Sequence, residues 1–154
     1  MPRKITSVTW ECALCEHEHR TRREAVACEC KGIVSPRFRV GQKVRLTRPN
    51  GEWAYAMVCQ LWTEYFYPFV HDGTITYIIC LEKPWAKGHY LTTATADELE
   101  TSGGGSAPDR KPARNWAAFW KLFGRNDRTA QRTVRKFVHQ RKVRLPAEGE
   151  PKFR

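Results

Sequence analysis

The chain has 154 residues, 41% of them hydrophobic and 12% aromatic, and its 27 Lys+Arg stand against 16 Asp+Glu for a formal net charge of +11. That apolar content excludes a wholly disordered chain, and a longest apolar run of seven residues, Trp53 to Cys59, excludes a bilayer-spanning helix, which needs about 20. No apolar stretch follows the first basic residues, so the expectation is a protein without a secretory signal, in a reducing compartment, either cytoplasmic or at the nucleoid or nucleus.

Charge is unevenly placed. Residues 1–35 carry a net +1, residues 36–107 are neutral, and residues 108–154 carry +10. An electrostatic arm on near-neutral folded modules predicts a polyanionic partner, and nucleic acid is the commonest one. Eleven of the 18 aromatic residues fall in the neutral middle, which predicts a compact aromatic-rich unit there. Gly32 and Pro36 bound it on one side, and Ser102–Ser106 with Pro108 and Pro112 on the other. The predicted organisation is a metal-binding module at 5–32, a small β module at 36–100, a linker at 101–112, a helical basic arm at 113–145 and a tail at 146–154.

In the first module, Cys12-x2-Cys15 is followed after twelve residues by Cys28-x-Cys30. Two thiolates on a tight turn converge on one ion, and zinc accepts tetrahedral sulfur coordination. Thr21-Arg-Arg-Glu24 has capping-box spacing, so a helix is expected from Arg22, with Cys28 as its seventh residue. The pattern resembles a Cys-Cys-His-His zinc finger in which cysteine replaces the first histidine. The fourth ligand departs from that family, because Gly32, Ile33 and Val34 occupy its usual positions. Cys12, Cys15, Cys28 and Cys30 are the expected zinc ligands, with His17 and His19 as rivals for the fourth place. Two helical residues are about 200° apart, so ligation by both Cys28 and Cys30 requires the helix to unwind between them. The resemblance would place base-reading side chains at Thr21, Glu24 and Ala27, none of which suits the task, so a structural finger is expected.

The middle module alternates apolar and polar residues over Arg37–Leu46, with further strands expected at about 53–62, 74–82 and 89–93. Asn50-Gly51 and Asp72-Gly73 are turn signals. Short strands hide their edges by closing on themselves, which predicts a small barrel. Phe-x-Val-Gly-x-Lys-Val-Arg-Leu, a later Tyr-Ile-Ile-Cys-Leu strand and Ala-Asp-Glu-Leu-Glu100 resemble the Src-homology-3-like barrels of Tudor and KOW type. The resemblance implies binding of RNA polymerase, nucleic acid or peptides. Trp62–Phe69 is an aromatic insertion that either fills the core or forms an adhesive patch. Cys59 and Cys80 are expected to be buried thiols. No nucleophile elbow, phosphate-binding glycine loop or paired carboxylate accompanies His71-Asp72 or His89, so neither enzymatic activity nor a small-molecule substrate is expected.

In the third module, Trp116, Phe119, Trp120 and Phe123 fall at i, i+3, i+4 and i+7 of a short helix ended by Gly124. This face is expected to dock within the chain or to anchor a protein partner. Asp127 caps a second helix, expected to run to about Arg144. Arg128, Arg132, Arg135, Lys136, Lys142 and Arg144 are its candidate nucleic-acid contacts, set against an apolar stripe of Ala130, Val134 and Phe137. This segment resembles the arginine-rich helices that enter structured RNA.

The sequence therefore predicts an α+β, multi-module, zinc-binding protein: a non-enzymatic nucleic-acid-binding adaptor, for RNA or DNA, whose barrel chooses a partner. The competing expectation is a protein-interaction module that regulates RNA polymerase, the ribosome or another enzyme through the aromatic helix and barrel.

Overall fold

The computed structural model describes residues 1–3, 7–62, 70–71, 74–85, 89–103 and 110–146. The Asp72-Gly73 turn, residues 63–69 of the aromatic insertion, most of the linker and the tail beyond Pro146 lie outside them.

The amino-terminal segment pairs β1 (Trp10–Glu11) with β2 (Glu18–His19) and continues into α1 (Arg22–Cys30). The capping box forms as the spacing predicts. Glu24 N–H donates to the Thr21 hydroxyl at 3.2 Å, and the Glu24 carboxylate accepts from Thr21 N–H at 3.2 Å. These contacts satisfy donors that the first helical turn leaves without intrahelical partners.

The middle of the chain forms β3 (Lys43–Thr47), β4 (Trp53–Leu61), β5 (Thr76–Leu81), β6 (Leu91–Thr95), a 3-10 turn (Ala96–Glu98) and β7 (Leu99–Thr101). All pairings are antiparallel, in the order β6-β5-β4-β3-β7. The expectation of a closed barrel is corrected here: the five strands form an open sheet with β6 and β7 at its edges. Two features remove the need for closure. The edge strands are short, at five and three residues, and so offer little unpaired backbone. The central strands are also covered on both faces, because consecutive residues Ala56–Leu61 and Tyr77–Leu81 are buried and successive side chains of a strand point to opposite faces.

The cover comes from outside the sheet. Asn115 caps α2 (Trp116–Phe123) by accepting from Ala118 N–H at 2.8 Å, and Asp127 caps α3 (Arg128–Gln140) by accepting from Ala130 N–H at 3.1 Å. Phe119 and Phe123 of α2 are buried, as are Val134 and Val138 of α3. α3 runs close over Gly41, whose φ is +79° and where a Cβ would stand 3.3 Å from the Ala130 Cβ. The helix ends at Gln140, earlier than the expected Arg144, because Lys142 takes a left-handed conformation with φ +54° and Val143 N–H folds back to Val138 O at 3.0 Å. No helix among the described residues is long and apolar enough to cross a membrane.

One contiguous core runs through all three segments, taking Leu14 and Cys28 from the first, Phe38, Val44 and Tyr77 from the second, and Phe119, Phe123 and Val134 from the third. Direct bonds join them as well. Ile33 and Ala113 exchange two backbone hydrogen bonds of 2.7 Å, Val34 N–H donates to Val70 O at 2.8 Å, and the Trp116 indole donates to Leu14 O at 3.2 Å.

Candidate metal centre

The knuckle is built by the backbone. Glu16 takes φ +59° directly after Cys15, Glu16 N–H donates to Cys12 O at 2.9 Å, and Cys12 N–H donates to His17 O at 3.0 Å. This turn brings Cys12 and Cys15 together, and α1 delivers Cys28 to them. Ala13 N–H, donating to the Glu29 carboxylate at 2.9 Å, ties the knuckle to the helix.

The fourth group is His71, from the segment between β4 and β5. Its Nε2 lies 3.2 Å from Cys28 Sγ and 3.8 Å from Cys12 Sγ, while Cys15 Sγ and Cys28 Sγ are 3.6 Å apart. All four ligand atoms lie within 4.8 Å of one another. A tetrahedral ion with bonds of about 2.3 Å to sulfur and about 2.0–2.1 Å to nitrogen puts its ligands roughly 3.5–3.8 Å apart. Two of the three short separations fall in that range and the Cys28–His71 separation is slightly shorter, so Cys12, Cys15, Cys28 and His71 could hold a metal ion.

His71 is oriented for this role. Its Nδ1 stands 2.6 Å from Gly32 O, so with the proton on Nδ1 the ring donates to that carbonyl and turns a lone pair on Nε2 toward the sulfurs. Gly32 can serve because it is glycine: φ is +69°, and a Cβ would meet Ala113 O at 2.7 Å. The bridge that fixes Gly32 is the Ile33–Ala113 pairing, so the orienting carbonyl depends on residues 80 positions apart.

Cys30 does not join the group. It is exposed on α1, which continues without a break from Cys28 to Cys30, and about 200° of helical rotation separates the two. His17 and His19 are also outside it, packed edge to face with centroids 4.9 Å apart. The signal for His71 was weak in the sequence. It lies 43 residues beyond Cys28 with no ligand spacing, and only the geometric objection to Cys30 directs attention to a distant histidine.

Burial pushes the Cys28 thiol up to about 12, with the adjacent Cys12 and Cys15 adding to the rise. Burial also raises Cys15. The Cys15 and Cys28 thiols therefore resist ionisation without a counter-charge, and a bound cation reverses that preference by stabilising the thiolates.

The other candidate residues divide by helix. Arg128, Arg132, Arg135, Lys136, Lys142 and Arg144 are all exposed, and Arg132, Arg135, Lys136 and His139 border an open depression of about 640 Å³. In α2, Trp116, Phe119 and Phe123 are buried, and Trp120 is half-buried under the Arg125 guanidinium, 4.7 Å from its ring centroid. Arg141 is structural, donating to Glu82 O at 3.2 Å and to Phe137 O at 3.0 Å while covering the Phe137 ring. Cys59 and Cys80 are buried, and burial pushes the Cys59 thiol up to about 12. The chain matches no protein-family model, no curated protein and no solved structure.

Proposed function

We propose that the chain is a non-enzymatic nucleic-acid-binding protein, stapled by zinc and gripping phosphates with α3. The observation that carries this reading is the division of α3, with Val134 and Val138 buried on one side and Arg128, Arg132, Arg135 and Lys136 exposed on the other. Lys142 and Arg144 extend the cationic surface beyond the helix. None of these six forms an ion pair among the described residues, where the ion pairs are Arg37–Asp97 and Arg39–Asp127. A row of unengaged cations on a firmly packed helix suits a phosphate backbone, whose binding releases counterions.

Zinc is the metal that a Cys3His set favours, since thiolate and imidazole are its preferred structural ligands and a closed tetrahedron is its usual structural geometry. The site would act structurally, with all four places filled by protein. The strand order of the sheet, with a 3-10 turn returning the last strand to pair with the first, supports the Src-homology-3-like resemblance in connectivity. The rival use of α2 as a partner anchor has less to draw on, because Trp116, Phe119 and Phe123 are only 7%, 0% and 2% exposed.

The test is a titration of labelled duplex DNA, single-stranded DNA and hairpin RNA at several salt concentrations, using the full chain and its Arg132→Glu/Arg135→Glu/Lys136→Glu variant. The expected result is steep salt dependence, about −0.9 in log–log slope per duplex phosphate neutralised, and loss of binding in the variant. Equal binding by both proteins, or none near physiological salt, would overturn the reading.

A further inference from the structure

We propose that Trp53, Tyr55 and Trp85 form a base-stacking platform, so that the nucleic acid this chain prefers is single-stranded; the inference rests on the phosphate-gripping role of α3. Trp53 and Tyr55 stand two residues apart on β4 and therefore on one face of the sheet, 49% and 42% exposed, with ring centroids 5.3 Å apart. Large rings are normally placed in a core, yet these lie beyond the point where the sheet is covered. The ladder puts Arg45 opposite Tyr55, on the same face, and its guanidinium lies 4.5 Å from the Trp53 centroid. Arg48 does the same for Trp85 at 5.0 Å. Each indole, the exposed Trp53 and the half-buried Trp85, thus has a cation over its ring that adds positive potential at the platform.

Between the rings lies a cleft of about 420 Å³, bordered by Trp53, Tyr55, Glu82, Lys83, Pro84 and Trp85. A second groove, of about 440 Å³, shares Tyr55 and Glu82 and is bordered further on by Lys43, Phe137, Gln140 and Arg141. The two meet at Tyr55 and Glu82, and the second reaches Gln140 at the end of α3, one turn beyond Lys136. Glu82 at the junction repels phosphate but accepts hydrogen bonds from an exocyclic amino group, so this part of the surface favours bases while α3 holds the backbone. Only an unpaired strand can present base faces to such rings, because in a duplex they are stacked on one another.

The full chain is titrated with a labelled mixed-sequence 20-nucleotide single strand, as DNA and as RNA, and with the matching duplexes, over a range of salt. Trp53→Ala/Tyr55→Ala should weaken single-strand binding about tenfold or more at every salt, leave the salt slope unchanged and leave duplex binding unmoved. Trp53→Phe/Tyr55→Phe should recover most of the loss. Both pairs should melt near the wild-type temperature, because the rings removed are exposed. The platform is overturned if the alanine variant binds single strands as well as wild type, if it loses duplex equally, or if the rings capture a methylated-lysine or proline-rich peptide while single strands do not bind. The α3 charge reversal separates the two readings: it lowers the salt slope on every nucleic acid if α3 grips phosphate, whatever the rings do.

Discussion

The amino-terminal segment and the sheet solve the same problem by different means. Among residues 7–31 only Cys12, Leu14, Ala25 and Cys28 are buried, and Leu14 alone brings a large aliphatic side chain. So small an apolar contribution cannot offset the entropy of ordering that segment. The sheet, by contrast, buries unbroken runs on β4 and β5, Tyr77 among them, together with rings such as Phe38 and Phe119. The difference shows that Cys12, Cys15 and Cys28 stand where apolar area is scarce, and that the fourth group of the cluster, His71, comes from the sheet side of the boundary. An ion at Cys12, Cys15, Cys28 and His71 would therefore bind the weak region to the strong one as well as hold its own turn together.

Removing the metal should break this contrast most completely. Structural zinc sites contribute about 10–16 kcal/mol of apparent folding energy in isolated zinc-finger peptides. After chelation, or in Cys28→Ser, residues 7–31 should lose amide-exchange protection while β3–β5 keep theirs. Uniform retention of protection over residues 7–31 would show that the segment holds itself. Core truncation should act in the opposite direction: Phe119→Ala, at a fully buried ring, should cost about 3–5 kcal/mol in denaturant unfolding and lower protection across the sheet.

The identity of the fourth ligand sharpens the comparison at smaller cost. His71→Ala should weaken zinc affinity by on the order of 100-fold or more, read by chelator competition, whereas Cys30→Ser should leave affinity and stoichiometry unchanged. The reverse pattern would return Cys30 to the site and detach the sheet from it.

Local chemistry is what the sequence made legible. The Thr21–Glu24 box, the Asp127 cap, the Gly124 stop with φ +78° and the three clustered cysteines all depend on neighbours a few residues away. The α+β class followed from the same signals. What escaped depends on contacts distant in the chain. His71 reaches the sulfurs only because Val34 pairs with Val70 and Ile33 with Ala113, and no periodicity encodes either pairing. Closure of the sheet was expected from the exposed edges of short strands, but α2 and α3 supply the cover instead. Trp53 and Tyr55 fall on a strand expected at about 53–62, with no face assigned to them by the sequence. Their exposure follows from β4 extending past that cover, as its exposed first residues show.

The end of α3 offers the finest test of how stability and binding are divided between regions. Lys142 holds φ +54° just past the last helical turn, a conformation that costs a side-chain-bearing residue roughly 1 kcal/mol and costs glycine little. Lys142→Gly should therefore stabilise the fold by up to about 1 kcal/mol, because the helix stop is kept and the unfavourable backbone relieved. The same change removes one cation from the proposed phosphate-contacting surface, so the log–log salt slope of nucleic-acid binding should fall by about 1. A more stable protein that binds with a shallower salt dependence would show that Lys142 is kept for its charge against its backbone preference. Unchanged binding would confine the phosphate contacts to the helix proper, at Arg128, Arg132, Arg135 and Lys136.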